Sequence, residues 1–353
     1  MENATTTQPV QSLELTTGLL IAYVSIWVMA VIPIYIGSYL SLKETKNESM
    51  SKNDAYAFPL YGSVFLFGLY LLFKNFDKNL INTVLSLYFL MFGAIAMTKL
   101  LSTLLKSLFS SAPTKQQKKQ QQQSKSEQRA PDHLVEFTLP SIKFVLDSQK
   151  VSIGYFDVIA FVISCLFSLF YLQTKHWIAN NVFGLTFSIQ GIGLISLSEY
   201  IVGVILLVGL FFYDIFWVFG TDVMVTVAKS FDAPIKLLFP KDVFAEVYQF
   251  SMLGLGDIVL PGIFIALLLR FDRYQAQKNK KPFTSTPYFT TTLIAYGLGL
   301  ATTIFVMHTF RAAQPALLYL VPFCVGASLL TGLFKGQLRE LVFSDLGKET
   351  KAE

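Results

Sequence analysis

The sequence predicts an all-α polytopic membrane protein with nine transmembrane helices. Its 353 residues are 53% hydrophobic and only 14% charged, whereas a typical soluble domain has about 25% charged residues. The apolar residues are gathered into nine long runs, each close to or above the length of about 20 residues with which a helix crosses a bilayer. These two observations exclude a soluble globular protein.

The nine apolar windows are bounded by charged residues and together cover more than half of the chain. They are residues 15–42, 55–73, 79–98, 158–174, 177–198, 200–221, 247–269, 282–310 and 312–334. The fourth window is the shortest, but Lys175, His176 and Trp177 follow it, and such a cluster is typical of a membrane interface. We therefore count it as a transmembrane helix.

The distribution of positive charge predicts the orientation in the membrane. The first window is too long for the apolar core of a signal peptide, and no Lys or Arg precedes it, which favours an uncleaved anchor. Lys43, Lys46 and Lys52 follow it, and positive residues tend to remain cytosolic, so the amino terminus is expected in the lumen. Nine crossings then place the carboxyl terminus and 21 of the 28 Lys and Arg residues in the cytosol. With this orientation the sequon at Asn3 is the predicted glycosylation site.

A polar segment divides the chain into parts. Its centre, KQQKKQQQQSKSEQR from Lys115 to Arg129, has no apolar periodicity and is predicted to be disordered, with attraction to anionic lipid as the alternative. No nucleic-acid fold signature surrounds it. The predicted parts are the luminal terminus with helices one to three (1–106), a cytosolic linker (107–156), helices four to nine (157–335) and a cytosolic tail (336–353).

Only two of the 23 acidic residues lie inside the windows, namely Asp214 and Asp257. An ionisable group at membrane depth costs about 2.5 to 3.5 kcal/mol on insertion scales, so it indicates a functional site. No window contains Lys or Arg, which leaves the two acids mainly each other as partners. At about 1.5 Å per helical residue, both are expected roughly 10 to 15 Å below the luminal surface, on adjacent antiparallel helices.

Two carboxyl groups at one buried site favour acid–base chemistry. Because they cannot comfortably both ionise, they are expected to share one proton near neutral pH. One can then deprotonate a water that attacks a peptide carbonyl, while the other protonates the carbonyl oxygen. The same pair could instead relay protons or cations in a transporter or channel. No metal or cofactor is predicted, because two carboxylates are too few for calcium and the sequence has no HExxH, Cys/His or phosphate-loop motif.

The residues around Asp257 predict close approach by another segment and an irregular helix at this position. Gly254 and Gly256 precede the acid, and their missing side chains would let another helix or a substrate come close. Pro261 lacks the N–H that would bond the Asp257 carbonyl, so we expect a loosened helix and a free carbonyl beside the acid. A simple kink in the helix is the alternative.

Three short motifs resemble the signatures of the GxGD intramembrane aspartyl proteases of the presenilin superfamily. They are Tyr213-Asp214, Gly254-Leu255-Gly256-Asp257 and Pro315-Ala316-Leu317. Over roughly residues 155 to 335, longer stretches such as KHWIANN from Lys175 and QPALLYLVP from Gln314 resemble the signal peptide peptidase family. The resemblance implies a presenilin-like fold in which the two aspartates are catalytic and the Pro-Ala-Leu turn shapes the active site. Tyr213 would either tune its neighbouring acid by a hydrogen bond or pack as a helix aromatic.

The function implied by this resemblance is intramembrane aspartyl endopeptidase. Its expected partners are transmembrane peptide substrates of type II orientation, especially remnant signal peptides, and the lipid bilayer of the endoplasmic reticulum. No obligatory cofactor is implied, and a homo-oligomer is left open. The terminus from Lys348 is not a clean dilysine retrieval signal. Two other classes of function are the alternatives: a transporter or channel, and a non-catalytic scaffold for membrane segments.

The luminal stretch from Val223 to Val227 is dense in β-branched residues and alternates in polarity. This pattern predicts a short strand whose edge could pair with an extended substrate. An interfacial helix or loop is the alternative.

Overall fold

The computed structural model describes residues 16–42, 49–109, 133–138, 150–242, 248–310, 312 and 314–344. The predicted glycosylation site Asn3, the Lys/Gln-rich centre of the linker and the terminus from Lys348 lie outside these ranges. Within the described residues the chain is mostly helical, and each of nine helices of 18 or more residues overlaps one of the nine apolar windows.

The nine long helices are α1 (Thr17–Ser41), α2 (Lys52–Asn75), α3 (Lys78–Phe109), α4 (Tyr155–Thr174), α5 (Trp177–Leu194), α6 (Tyr200–Phe219), α8 (Gly256–Lys278), α9 (Pro287–Phe310) and α10 (Leu317–Phe334). Two short helices are α7 (Val223–Ser230) and α11 (Leu338–Phe343). Local signals set some of their ends. Ser51 and Asp54 cap the start of α2 reciprocally, and Lys175 ends α4 with a left-handed backbone, φ 49°.

Seven helices of the described chain are long and apolar enough to cross a membrane, namely α1, α2, α3, α4, α6, α9 and α10. The other two long helices, α5 and α8, carry more polar residues but also many buried positions. Helix α8 contacts α1, α5, α6, α9 and α10, and its polar residues Asp272 and Gln275 are buried. The prediction of an all-α polytopic membrane protein is confirmed, whereas nine crossings stay a prediction.

In the described ranges, three pairs of short strands accompany the helices. The two-residue strands β1 (Ser49–Met50) and β4 (Ser196–Leu197) pair in parallel. Antiparallel pairs are formed by β2 (His133–Thr138) with β3 (Lys150–Gly154) and by β5 (Lys236–Pro240) with β6 (Phe250–Gly254).

The strand predicted from Val223 to Val227 is wrong, because these residues begin helix α7. Val227 is buried in a small core with residues of α2, including Leu69 and Phe73. Burial of one helical face against α2 outweighs the weak strand propensity of the β-branched residues.

The predicted start of the seventh helix is also wrong. Its window opened at residue 247, but strand β6 occupies Phe250–Gly254 and helix α8 begins at Gly256. An apolar run is equally compatible with a buried strand and with a helix, so hydropathy alone could not separate them. Asp257 consequently lies in the first turn of its helix instead of several residues within it.

The main core surrounds α8 and includes residues from both sides of the polar linker. Ile26, Ala30 and Ile34 of α1 are buried in it, and α1 packs against α5 and α8. Helix α2 packs on α6, and α3 packs on α4 and α5. The first three helices therefore lie against the last six, and the division of the chain at the linker stays a prediction.

Candidate active site

Asp214 is held in the interior by the start of helix α10. It belongs to α6, is only 3% exposed, and its Oδ2 accepts a hydrogen bond of 2.9 Å from the backbone N–H of Leu317. The carbonyls of Pro315 and Ala316 accept bonds from Leu318 and Leu320, which form the turn that opens α10. The Pro-Ala-Leu motif thus contacts Asp214 through a backbone donor.

Asp257 lies close enough to Asp214 for the two carboxyl groups to interact electrostatically. It is half-buried in the first turn of α8. A Cβ atom added to Gly254 would lie 3.4 Å from Asp257 Oδ2, whereas one added to Gly256 would lie 3.9 Å from the nearest atom of Leu260. A Cβ atom at Gly254 would therefore touch the carboxyl group at van der Waals distance, and one at Gly256 would not contact it.

Tyr213 projects from α6 toward α2. A Cβ atom added to Gly62 of α2 would lie 3.4 Å from the Tyr213 ring, and the ring centroid of Trp217 is 6.4 Å away. Within the described residues the Tyr213 hydroxyl makes no hydrogen bond to Asp214. This geometry fits the packing alternative better than a tuning hydrogen bond.

The expectation of a free carbonyl at Asp257 is wrong. Pro261 is present inside α8 and supplies no N–H, but the Asp257 carbonyl accepts a hydrogen bond of 3.2 Å from the hydroxyl of Tyr296. Tyr296 belongs to α9 and is fully buried. Sequence reasoning missed this residue, because a tyrosine in an apolar window gives no sign of its partner.

Two asparagines, Asn180 and Asn181, were quoted in the family resemblance without a role. Both are 4% exposed in α5 and bind the backbone of strand β5. Asn181 accepts from the N–H of Leu238 at 2.8 Å and donates to its carbonyl at 2.6 Å. Asn180 donates to the carbonyl of Lys236 at 2.7 Å. The sequence signal that could have revealed them is the pair of adjacent amides inside an apolar window.

The side-chain amides of Asn180 and Asn181 bond the edge of β5 that faces away from β6, which we call its outer edge. They replace the backbone groups that a neighbouring strand would supply there. The opposite strand, β6, is separated from α8 by Leu255 alone, whose N–H bonds the Ile235 carbonyl at 3.0 Å. The strand pair is therefore fixed to α5 on one side and joined directly to the turn that carries Asp257 on the other.

A further acid, Asp272, is buried in the described part of the chain and was also missed, because it follows the seventh window. It is 3% exposed in α8 and accepts hydrogen bonds from the N–H groups of Tyr288 at 3.3 Å and Phe289 at 2.9 Å. These donors lie in the first turn of α9, where N–H groups have no helical partner. Asp272 therefore caps α9 and serves the fold.

A bundle of membrane-spanning helices with two interacting acids in its interior defines a class of polytopic membrane proteins. Intramembrane proteases and ion-coupled transporters both fall in this class, since each uses carboxyl groups at membrane depth.

Comparison with known proteins distinguishes between them. The profile of the signal peptide peptidase family matches residues 42–346. Signal peptide peptidase of Homo sapiens is 44% identical over 347 residues, which cover 95% of this chain and 85% of the relative. A probable intramembrane protease of Schizosaccharomyces pombe is 34% identical over 88% of this chain and 90% of its own length. Intramembrane protease 2 of Caenorhabditis elegans is 50% identical over 54% of this chain and 43% of its own length.

The chain therefore belongs to the signal peptide peptidase family, a family of intramembrane proteases. The family resemblance inferred from the three motifs is confirmed.

Proposed function

We propose that this protein is an aspartyl endopeptidase that hydrolyses peptide bonds inside the membrane with Asp214 and Asp257 as its catalytic pair. The proposal rests above all on the hydrogen bond from the N–H of Leu317 to Asp214, which holds one of the two carboxyl groups in the interior. Gly254, Gly256 and the Pro-Ala-Leu turn would shape the space around the pair.

In the proposed reaction the two carboxyl groups share one proton. The ionised group takes a proton from a water molecule, which attacks the scissile carbonyl, while the protonated group donates to the carbonyl oxygen. The aspartate that took the proton from water then donates it to the amine nitrogen as the C–N bond breaks, while the other aspartate takes back a proton from a hydroxyl of the tetrahedral intermediate. The products are a new carboxyl terminus and a new amino terminus, and the pair again holds one proton. All steps require only the two aspartates, a water and the substrate.

The proposed topology has nine crossings, a luminal amino terminus with Asn3 glycosylated, and a cytosolic carboxyl terminus in the endoplasmic reticulum membrane. The seven apolar helices and the charge distribution support it. Helices α5 and α8 would be the remaining crossings, with their polar residues directed at the bundle interior. Assembly into a homo-oligomer is left open by this arrangement.

We expect purified protein to cut a transmembrane peptide that resembles a trimmed signal peptide into two soluble fragments. A helix keeps its scissile carbonyl hydrogen-bonded, so substrates rich in Gly, Ser or Asn should unwind and react faster. Mass spectrometry of the products checks this. Equal processing of an uncleaved preprotein with a large luminal domain would contradict the preference for trimmed peptides.

The strand pair before α8 offers a place for an unwound substrate. The bonds from Leu255 to Ile235 and from Lys241 to Gln249 mark hydrogen-bonded pairs of an antiparallel ladder. Because such pairs alternate, the backbone groups of Met252 point away from β5. We propose that this outer edge of β6 pairs with the substrate backbone, since the outer edge of β5 already bonds Asn181.

Replacement of Met252 by proline should lower the cleavage rate about tenfold or more. The change removes an outward N–H, and proline is tolerated on a strand edge that needs no ladder donor. Met252→Ala, which keeps the N–H and shortens the side chain, is the matched control and should cleave nearly as fast as the wild type. Normal cleavage by a folded Met252→Pro protein would show that substrate does not use this edge.

A further inference from the structure

The backbone carbonyl of Asp257 accepts a hydrogen bond from a side chain of another helix. In a regular helix its carbonyl would accept from the N–H four residues later, but that position is Pro261, which has none. The donor is instead the hydroxyl of Tyr296, at 3.2 Å. Pro261 and Tyr296 are both buried, so solvent cannot easily replace this donor.

Both partners need this bond. A buried tyrosine hydroxyl usually has a hydrogen-bond partner, and a buried carbonyl without a donor is destabilising. Pro261 thus leaves the Asp257 carbonyl without its helical donor, and the hydroxyl of Tyr296 donates in its place. Because Tyr296 lies near the middle of α9, the bond ties the first turn of α8 to a neighbouring helix.

We infer that Tyr296 is a positioning residue, which acts with Pro261 to fix the backbone of Asp257 and thereby the placement of its carboxyl group opposite Asp214. The inference rests on the proposed function of the two aspartates. It differs from a packing role for the tyrosine ring, because the hydroxyl matters only while residue 261 cannot donate.

A double-mutant cycle separates these roles. Tyr296→Phe keeps the ring and removes the hydroxyl, and we expect kcat to fall by about 10- to 100-fold, the usual effect of a displacement of about 1 Å at a catalytic group, with KM changed less than about twofold. Pro261→Ala restores a helical N–H to the carbonyl. In that background the same Tyr296→Phe change should lower kcat less than about threefold.

Tyr288 provides the matched control on the same helix. It is 1% exposed, and its hydroxyl donates to Gln337 Oε1 at 3.2 Å, the same length as the Tyr296 bond. Tyr288→Phe should leave kcat within about twofold of the wild type, because it removes a hydrogen-bonded hydroxyl from a buried tyrosine that does not contact Asp257.

Three outcomes would overturn the inference: normal kcat in Tyr296→Phe, an equal loss in both residue-261 backgrounds, or an equal loss in Tyr288→Phe. The comparison of the two tyrosine variants decides the matter if Pro261→Ala does not fold. Asp257→Asn is measured in the same assay. Cleavage by that variant, or none by the wild type, would refute the proposed function and with it the positioning role of Tyr296. Loss of cleavage in Asp257→Asn together with a normal kcat in Tyr296→Phe would refute the role of Tyr296 alone.

Discussion

Asp214→Asn and Asp257→Asn each reduce cleavage of a trimmed signal peptide by about 10³-fold or more, the effect expected when acid–base catalysis is lost. An amide can neither take a proton from water nor return one to the substrate at neutral pH. The substitution keeps the shape of the side chain, and its oxygen can still accept the bond that Leu317 donates to residue 214. We therefore expect both variants to fold and to insert in the membrane.

Asp222→Asn is the matched control for these variants. Asp222 is an exposed acid between α6 and α7, and its change to asparagine should leave cleavage unaltered. Retained turnover by either purified dyad variant would refute the catalytic pair. Ion flux in liposomes that both variants abolish, with no proteolysis by the wild type, would instead support the transporter alternative.

Asn181→Leu should lower both the cleavage rate and the thermal stability in detergent. The change removes the partners of the Leu238 N–H and carbonyl, and each buried backbone group left without a partner costs about 1–3 kcal/mol. The strand pair would lose its anchor on α5. Because β6 leads directly into the turn that carries Asp257, we expect cleavage to fall about tenfold or more.

A second variant and a control separate anchoring from helix packing. Asn181→Asp keeps an acceptor for the Leu238 N–H but places a carboxylate against the carbonyl, so it should also impair cleavage. Thr186→Val removes a buried hydroxyl from the same helix, but that hydroxyl bonds only the Val182 carbonyl of its own helix. Thr186→Val should therefore cleave normally. Wild-type stability and cleavage in Asn181→Leu would contradict an anchoring role.

Hydropathy and charge predicted much of the fold. Each apolar window corresponds to a long helix in the described chain, because a segment in a bilayer must satisfy its backbone internally and be apolar over its whole length. The two candidate catalytic acids were found by the same reasoning, since a carboxyl group at membrane depth is too costly without a function. Their pairing as a catalytic dyad stays a prediction.

Local patterns failed where a strand and a helix have the same composition. Val223 to Val227 alternate like a strand but form helix α7, whose Val227 packs on α2. Residues 250–254 continue an apolar window but form β6, because β5 is available to pair with them. The packing partners of Val227 on α2 are remote in sequence, and β6 meets β5 only after the chain has turned back on itself. Local propensity carries no information about either partner.

Composition, charge and the three motifs thus sufficed to predict a polytopic helical protein, its family and its pair of acids. The hydrogen bonds around those acids could not be predicted from composition, charge or motifs. Leu317 reaches Asp214 from 103 residues away in sequence, Asn181 reaches Leu238 from 57, and Tyr296 reaches the Asp257 carbonyl from 39. Helix formation in a membrane depends on residues within one segment, whereas each of these bonds exists only after separate segments have packed together.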